Sequence, residues 1–352
     1  MKVTYILETL SIKGGIERIT VDKMNSLQAV PGYDVSLILV YDYHLPAFYQ
    51  VSENVKVVNL NIQKTDNYLM KFKTFYQVGK KVRRAVKELQ SDIIISSGLL
   101  GNILFATNRF NCKTIYESHG PRFQMMLKFL LPRVERRCDA IVTLTKGDKD
   151  EYKIAKRVEV IPNFTKMQPT EYAPLIQHRC LSIGRLSYEK NFPRLLHIWS
   201  KVTKTHPDWH LDIVGEGPLE REFKATIVRL GLTRTVSLLP PTSDVSKYYK
   251  RSSMLLVTSL FEGFSMVIIE ASVHGLPTIS VDCDYGPREI IENQKSGIIT
   301  PYDDDQAMIK AITHLMDNEQ ERKDMGEHAK KMSSKYQEHK IMKQWTDLFE
   351  SL

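Results

Sequence analysis

Short apolar runs rich in β-branched residues recur along the chain with helical patterns between them, and few architectures accept that alternation. VTYILETL (residues 3–10), DVSLILVY (34–41), VKVVNL (55–60), DIIIS (92–96), KTIYES (113–118) and AIVTLT (140–145) are short enough for strands. Their near-continuous apolar character suits parallel strands covered on both faces. Helical segments separate them, among them residues 17–28 and 71–89. Strand and helix in alternation predict a doubly wound α/β domain.

The pattern then repeats. After VEVIPNF (158–164), the Pro-containing and weakly periodic TKMQPTEYAPLIQ (165–177) reads as a linker. A second series follows in RCLSIGRL (179–186), HLDIVGEGP (210–218), TVSLLPP (235–241), SMLLVTS (253–259) and LPTISVD (276–282). The first helix of that series starts near Pro193, a residue suited to a first helical turn. A length of 352 residues suits two domains, expected at 1–167 and 175–335, with a helical segment over 335–352. A ligand shared by both domains is expected in a cleft between them, at the carboxyl ends of the strands.

Charge is unevenly distributed. Residues 1–170 hold 26 Lys and Arg against 16 Asp and Glu, so the net charge of +8 resides entirely in the first half. Nucleic acid, an anionic membrane surface or a phosphate-bearing substrate would each suit such a surface. The charge-free stretch 93–108 is interrupted by Ser, Gly and Asn and is too short to span a bilayer. Glu8 stands where a signal peptide would be apolar, so no secretion signal is read there. Cys112, Cys138, Cys180 and Cys283 are scattered with no C-x-x-C pair, which fits a reducing cytoplasm.

The candidate chemistry lies in turns after strands. In SLFEGFSMVIIEA, Glu262 is expected in a turn and Glu270 in the second turn of a helix beginning near Ser265. Gly263 and Ser265 leave the amides of that helix start open to an anion. Glu270 is embedded in apolar chain and requires a hydrogen-bonding partner. Arg185 and Lys190, in the turn after the first strand of the second series, are placed for a diphosphate, one as a fork and one as a point charge. Gly14 and Gly15 occupy a phosphate-approach turn, although the G-x-G-x-x-G fingerprint is absent. His119 also follows a strand, just before Gly120 and Pro121. Asp282-Cys283-Asp284 and the run Asp303 to Asp305 imitate a metal-binding D-x-D, but the second precedes a helix and reads as a cap.

Together these residues resemble the family 4 retaining glycosyltransferases of the GT-B fold, the group 1 enzymes of bacterial polysaccharide assembly. GRLSYEKN, IVGEGPLE, SLFEGFSMVIIEA and YGPREIIENQKSGIIT carry the resemblance, with GGIER, ESHG and VIPN matching more loosely. The resemblance implies two Rossmann-like domains facing each other across a cleft, with the last helix returning to the first. It implies a nucleotide-sugar donor, a UDP-sugar, with Arg185 and Lys190 on the diphosphate beside the amides of Gly263, Phe264 and Ser265. Glu262 would bind donor-sugar hydroxyls, Glu270 the ribose, and Leu239 and Pro240 the base. Gly14 and Gly15 would admit the phosphates, and His119 would contact the sugar near the reacting carbon. The sequence departs from the family in LLPP, where Pro240 and Pro241 replace a frequent glycine. No metal or other cofactor is expected.

The acceptor side is read from the basic first half. Lys71, Lys73, Lys80, Lys81, Arg83, Arg84 and Lys87 share a helical stretch with Phe72, Phe75, Tyr76 and Val82. FQMMLKFLLPRVERRCD (123–139) mixes basic and apolar residues again. Each is either a core-facing helix with a solvated side or a surface that docks on anionic lipid and receives a saccharide or lipid-diphosphate-linked acceptor. The protein is accordingly expected in the cytoplasm, peripheral to the inner face of the plasma membrane. A nucleotide-sugar epimerase of the same fold is the alternative enzyme. A nucleic-acid-binding protein is favoured by basicity alone and lacks a reading module.

Overall fold

A computed structural model describes the chain apart from residues 12–13, 42–44, 64–67, 121, 123–124, 126 and 243, and the side chains of residues 68–73. It divides into two compact units, Met1–Phe164 with Glu338–Leu352, and Thr165–Gln337. In the first unit β1 (Lys2–Leu7), α1 (Gly15–Gln28), β2 (Asp34–Tyr41), β3 (Lys56–Ile62), α2 (Tyr68–Leu89), β4 (Ile93–Ser97) and α3 (Gly98–Thr107) are followed by β5 (Lys113–Glu117), α4 (Leu131–Arg137), β6 (Ala140–Thr143), α5 (Lys146–Lys149) and β7 (Val158–Val160). All strands are parallel, in the order β3-β2-β1-β4-β5-β6-β7.

The second unit holds β8 (Arg179–Ile183), α6 (Phe192–Val202), β9 (His210–Val214), α7 (Glu220–Arg229), β10 (Val236–Leu239), α8 (Ser246–Lys250), β11 (Met254–Val257), β12 (Phe261–Glu262) and α9 (Met266–Val273). It continues through β13 (Thr278–Val281), β14 (Asp284–Tyr285), α10 (Gly286–Ile290), β15 (Gly297–Thr300), α11 (Asp305–Asp317) and α12 (Glu319–Ser333). The main sheet runs β10-β9-β8-β11-β13-β15, again parallel. Both sheets therefore share the order 3-2-1-4-5-6, which reverses beside the first strand. The carboxyl ends of the strands at that reversal form the usual crevice for a ligand.

Side-chain alternation explains the two faces of the first sheet. Val3, Tyr5, Leu37, Ile93 and Ile95 point into one core, and Ile6, Ile38, Ile94 and Ile141 into the other. The first core is closed by α13 (Glu338–Glu350), which contributes Ile341, Met342, Trp345, Leu348 and Phe349. Ser26 of α1 donates to Glu338 at 2.5 Å, fixing the start of that helix. The second unit packs Trp199, Leu195, Phe192, Phe223 and Met308 around its sheet.

Several strands end earlier than their apolar runs. β1 stops at Leu7, and Thr9 and Leu10 belong to the loop. β12 and β14 form a separate two-residue parallel ladder, so Glu262 lies in a strand rather than in a turn. The segment 165–177 is anchored rather than loose: Arg322, 2% exposed, donates from Nε and Nη2 to the Leu175 carbonyl at 3.0 and 2.9 Å. Residues 123–139 break into a 3-10 turn, Lys128–Leu130, and the short α4. Phe123 and Met126 of that stretch, and the side chains of Lys71, Phe72 and Lys73, lie outside the described residues. On α2, Val78, Val82, Ala85 and Val86 are buried, while Lys80, Lys81, Arg83, Arg84 and Lys87 are exposed. No helix among the described residues is long and apolar enough to cross a membrane.

Two stability predictions follow from the first unit. Trp345→Ala empties a fully buried site and should cost about 3–5 kcal/mol in denaturant unfolding monitored on that unit. Asp148, 4% exposed, accepts from Ser118 Oγ at 2.7 Å, and burial pushes its carboxyl up to about 6. The unfolded chain therefore loses this proton at a lower pH than the folded one, and stability declines as pH rises from about 4 to 6. Asp148→Asn should remove up to about 3 kcal/mol of that decline in urea midpoints measured across the window.

Candidate active site

In the second unit two glycine-dependent turns interlock at the carboxyl ends of β8 and β9. A Cβ at Gly215 would be driven into the Gly184 carbonyl, and one at Gly217 into the backbone of Leu186. Their absence lets Leu186 N–H donate to the Glu216 carbonyl at 2.9 Å and Leu219 N–H to the Leu186 carbonyl at 3.0 Å. GRLSYEKN and VGEGP are thus halves of one structure. The first continues into a 3-10 turn, Tyr188–Lys190, closed by Asn191 at φ 50°. Thr258 Oγ1 lies 3.3 Å from the Lys190 and Asn191 carbonyls, and Leu260 N–H donates to the Glu189 carbonyl at 2.8 Å. The turn is thereby fastened to the end of β11.

That fastening brings Lys190 to Glu262. Lys190 Nζ donates to Glu262 Oε1 at 2.8 Å, and Ser259 Oγ donates to the same oxygen at 2.7 Å. Burial alone would lower the lysine pKa, but the Glu262 carboxylate outweighs it and the net shift is upward. Cys283 lies in the same environment, where burial and then Glu262 push its thiol up to about 12. Arg185, one turn earlier, is exposed, and its side chain pairs with no carboxylate among the described residues.

β12 delivers Glu262 directly to the start of α9. Gly286 sits against this point, since a Cβ there would press on Glu262 Cβ and the Ser265 amide at 3.0 and 3.2 Å. Its neighbour Tyr285 takes φ 71°, a strained conformation for a residue with a side chain. Ser265 is the N-cap of α9 but makes no side-chain cap, and its buried Oγ has no hydrogen-bond partner among the described residues. An open helix start with an unsatisfied hydroxyl is suited to an incoming oxygen ligand. Phe264, 8% exposed, packs edge-on against Tyr336 at 5.7 Å. Glu270 has the partner its burial requires: Tyr249 Oη donates to Oε2 at 2.9 Å. Leu239 is half-buried at the end of β10, its carbonyl held by Gly215 N–H at 2.9 Å, and Pro240 is exposed. The second unit therefore assembles Arg185, Lys190, Glu262, Gly263, Phe264 and Ser265 around the ends of β8 and β11.

The first unit carries the remaining candidates. Gly14 is the N-cap of α1, where a Cβ would strike the Glu17 carboxylate, while Gly15 faces open space. Tyr49 Oη donates to the Gly14 carbonyl at 3.0 Å. His119 follows β5, and its buried Nε2 lies 3.5 Å from Glu117 Oε1. The same oxygen accepts from Lys23, and both members of that ion pair are at most 2% exposed. Neither Lys23 nor Glu117 stands out in the sequence, although a Glu two residues before the histidine in ESHG is a local cue to the latter. Three members of the two aspartate clusters have other partners. Arg288 engages Asp282, Asp304 accepts from the Ala307 amide at 2.8 Å to cap α11, and Asp305 pairs with Arg194 at 2.6 Å. No group of three His, Cys, Asp or Glu able to hold a metal occurs among the described residues.

Two family models match, Glycosyltransferase Family 4 over residues 13–168 and Glycosyl transferases group 1 over residues 173–332. An uncharacterized glycosyltransferase of Haemophilus influenzae is 31% identical over 98% of both chains. The amylovoran biosynthesis glycosyltransferase AmsD of Erwinia amylovora is 29% identical over 99% of both. A Campylobacter jejuni α-1,4-N-acetyl-D-galactosaminyltransferase, named for its diNAcBac-PP-undecaprenol-linked acceptor, is 27% identical over 99% of this chain and 98% of its own. Among solved structures, sucrose-phosphate synthase of Thermosynechococcus elongatus superposes with a TM-score of 0.85 at 16% identity, over 99% of this chain and 98% of its own. HepE of Anabaena with UDP-glucose gives 0.79 at 17% identity over the whole of both. The chain belongs to the family 4, group 1 glycosyltransferases, sugar-transferring enzymes of the GT-B fold.

Proposed function

We propose that this glycosyltransferase moves a sugar from a UDP-sugar to a saccharide or lipid-diphosphate-linked acceptor in cell-surface polysaccharide assembly, with retention and without a metal. The observation that carries this reading is the Lys190–Glu262 pair beside the open start of α9. A leaving nucleoside diphosphate accumulates negative charge as the glycosidic bond breaks, and preorganised donors must meet it. Arg185, Lys190 and the amides of Gly263, Phe264 and Ser265 supply them, aided by the positive end of α9. The diphosphate replaces Glu262 as the counter-ion of Lys190, which frees the carboxylate for donor-sugar hydroxyls. Glu270 serves the ribose, Leu239 and Pro240 the base, Gly14 and Gly15 the phosphate approach, and His119 the sugar near its reacting carbon.

The positive charge already present leaves no deficit for a metal to fill, and Asp282, Asp304 and Asp305 are occupied elsewhere. The sequence signals no pair of carboxylates for opposite faces of the sugar, so retention is assigned to same-face attack, the departing phosphate taking the acceptor's proton. The UDP-glucose in the HepE structure and the names of the amylovoran and undecaprenol-linked relatives support the donor and acceptor classes. The exposed basic side of α2 is assigned to an anionic membrane surface, peripheral on the cytoplasmic side, rather than to nucleic acid.

Arg185→Ala or Lys190→Ala should abolish transfer of label from a UDP-sugar, and His119→Asn should reduce it. EDTA should leave wild-type activity intact; loss of activity restored by added Mg²⁺ would overturn the metal-free reading. Thermal melting distinguishes the two cations: Arg185→Ala should melt as wild type, whereas Lys190→Ala leaves the 8% exposed Glu262 short of its counter-ion and should melt lower. Sedimentation with anionic vesicles should weaken as salt rises, and equal recovery on neutral vesicles at low salt would sink the membrane assignment.

A further inference from the structure

The first unit spends two buried charges beneath His119. Lys23 and Glu117 are 1% and 2% exposed, in a layer otherwise built from Tyr5, Ile95, Val142 and Trp345. Removing two ions from water costs several kcal/mol each, and an apolar pair of similar volume commonly serves stability as well or better. Their presence therefore calls for a task other than holding the fold.

The geometry defines that task. Glu117 ends β5, and its Oε1 is shared between Lys23 Nζ and His119 Nε2. Lys23 reaches down from α1 and lies over the Trp345 ring, 4.8 Å from its centroid, so α1 and α13 both fix the ammonium. Burial would raise the Glu117 carboxyl, but Lys23 and then His119 outweigh it and hold it down to about 2. It is therefore a permanent anion. The Tyr5 hydroxyl also faces it, buried with no hydrogen-bond partner among the described residues and raised first by burial and then by Glu117. A second brace secures the loop on the far side of the histidine's neighbour, where Ser118 Oγ donates to Asp148 and Ser118 N–H to the Val142 carbonyl at 2.8 Å.

We propose that Glu117, pinned by Lys23, is a positioning residue for His119: it accepts the Nε2 proton, fixes the ring's tautomer and plane, and leaves Nδ1 as the acceptor offered to a donor-sugar hydroxyl. The 3.5 Å separation is already a long contact with the carboxylate in the unliganded chain, and contacts of this kind tighten when a site is loaded. The orienting carboxylate is the same device that holds the imidazole of hydrolytic triads in one tautomer. The sugar contact rests on the proposed role of His119; the tautomer does not.

The test uses the intact chain with ¹⁵N-labelled histidine rings. The His119 signal is identified by its disappearance in His119→Asn. In the wild type, at a pH where the ring is neutral, a direct Nε2–H cross-peak protected from water exchange is expected. Lys23→Met combined with Glu117→Met replaces both charges by apolar chains of similar length. It should melt within a few degrees of wild type and lose that protected cross-peak. A double variant that keeps it would make the pair purely structural and overturn the proposal. If the double variant does not fold, the wild-type spectrum decides alone: a ring protonated on Nδ1 refutes it and a protected Nε2–H sustains it. Full transfer activity in His119→Asn would remove the sugar contact while leaving the Glu117 result standing.

Discussion

Parallel pairing forces every strand of a sheet to finish at the same edge, and both units of this enzyme are governed by that requirement. In each, the chain changes direction across the sheet between its first and fourth strands, so the loops leaving those strands diverge and open a crevice. Arg185, Lys190, Glu262 and Ser265 follow the two strands that flank the reversal in the second sheet, and Gly14 follows the first strand of the other. Helix starts collect at the same edge, bringing unpaired amides and their partial positive charge to where phosphate oxygens would be received.

Charge at these edges is held in compensated pairs, each with a different use. Lys190 and Glu262 neutralise one another across a partly open surface, where the proposed donor diphosphate would exchange places with the carboxylate. Lys23 and Glu117 are sealed from water, where nothing can exchange with either. The first arrangement is open to exchange with an incoming anion. The second is a fixed support, and its value lies in not responding.

Much of this was legible in the sequence because it is local. The β-branched runs identified six strands of the seven-stranded sheet, missing only the three-residue β7, and most of the six-stranded one, and GRLSYEKN and SLFEGFSMVIIEA placed Arg185, Lys190 and Glu262 near strand ends. What was not legible depends on distance along the chain. Glu117 meets Lys23 across 94 residues, and Arg322 meets Leu175 across 147. Such pairs leave no periodicity in either neighbourhood. The β12 and β14 ladder is two residues long, below any alternation a sequence can display, and it moved Glu262 from a turn into a strand. Apolar runs such as residues 3–10 overstate strand length because the loop beyond β1 also packs into the core, as Leu10 does. VGEGP is a further case: its glycines are visible, but only the backbone of Gly184 to Leu186 pressed against them explains why side chains are excluded.

The return of α13 to the first unit sets an order of events during synthesis. A ribosome makes Met1–Phe164 and then all of Thr165–Gln337 before the residues of α13 appear. Throughout that interval the sheet face bearing Tyr5, Leu37 and Ile95 lacks Trp345 and Phe349, and the Lys23 ammonium lacks the ring beneath it. The second unit, whose segments are contiguous, can complete its core first. The earlier half of the polypeptide thus matures later, with an apolar face that must be shielded until the residues of α13 have emerged.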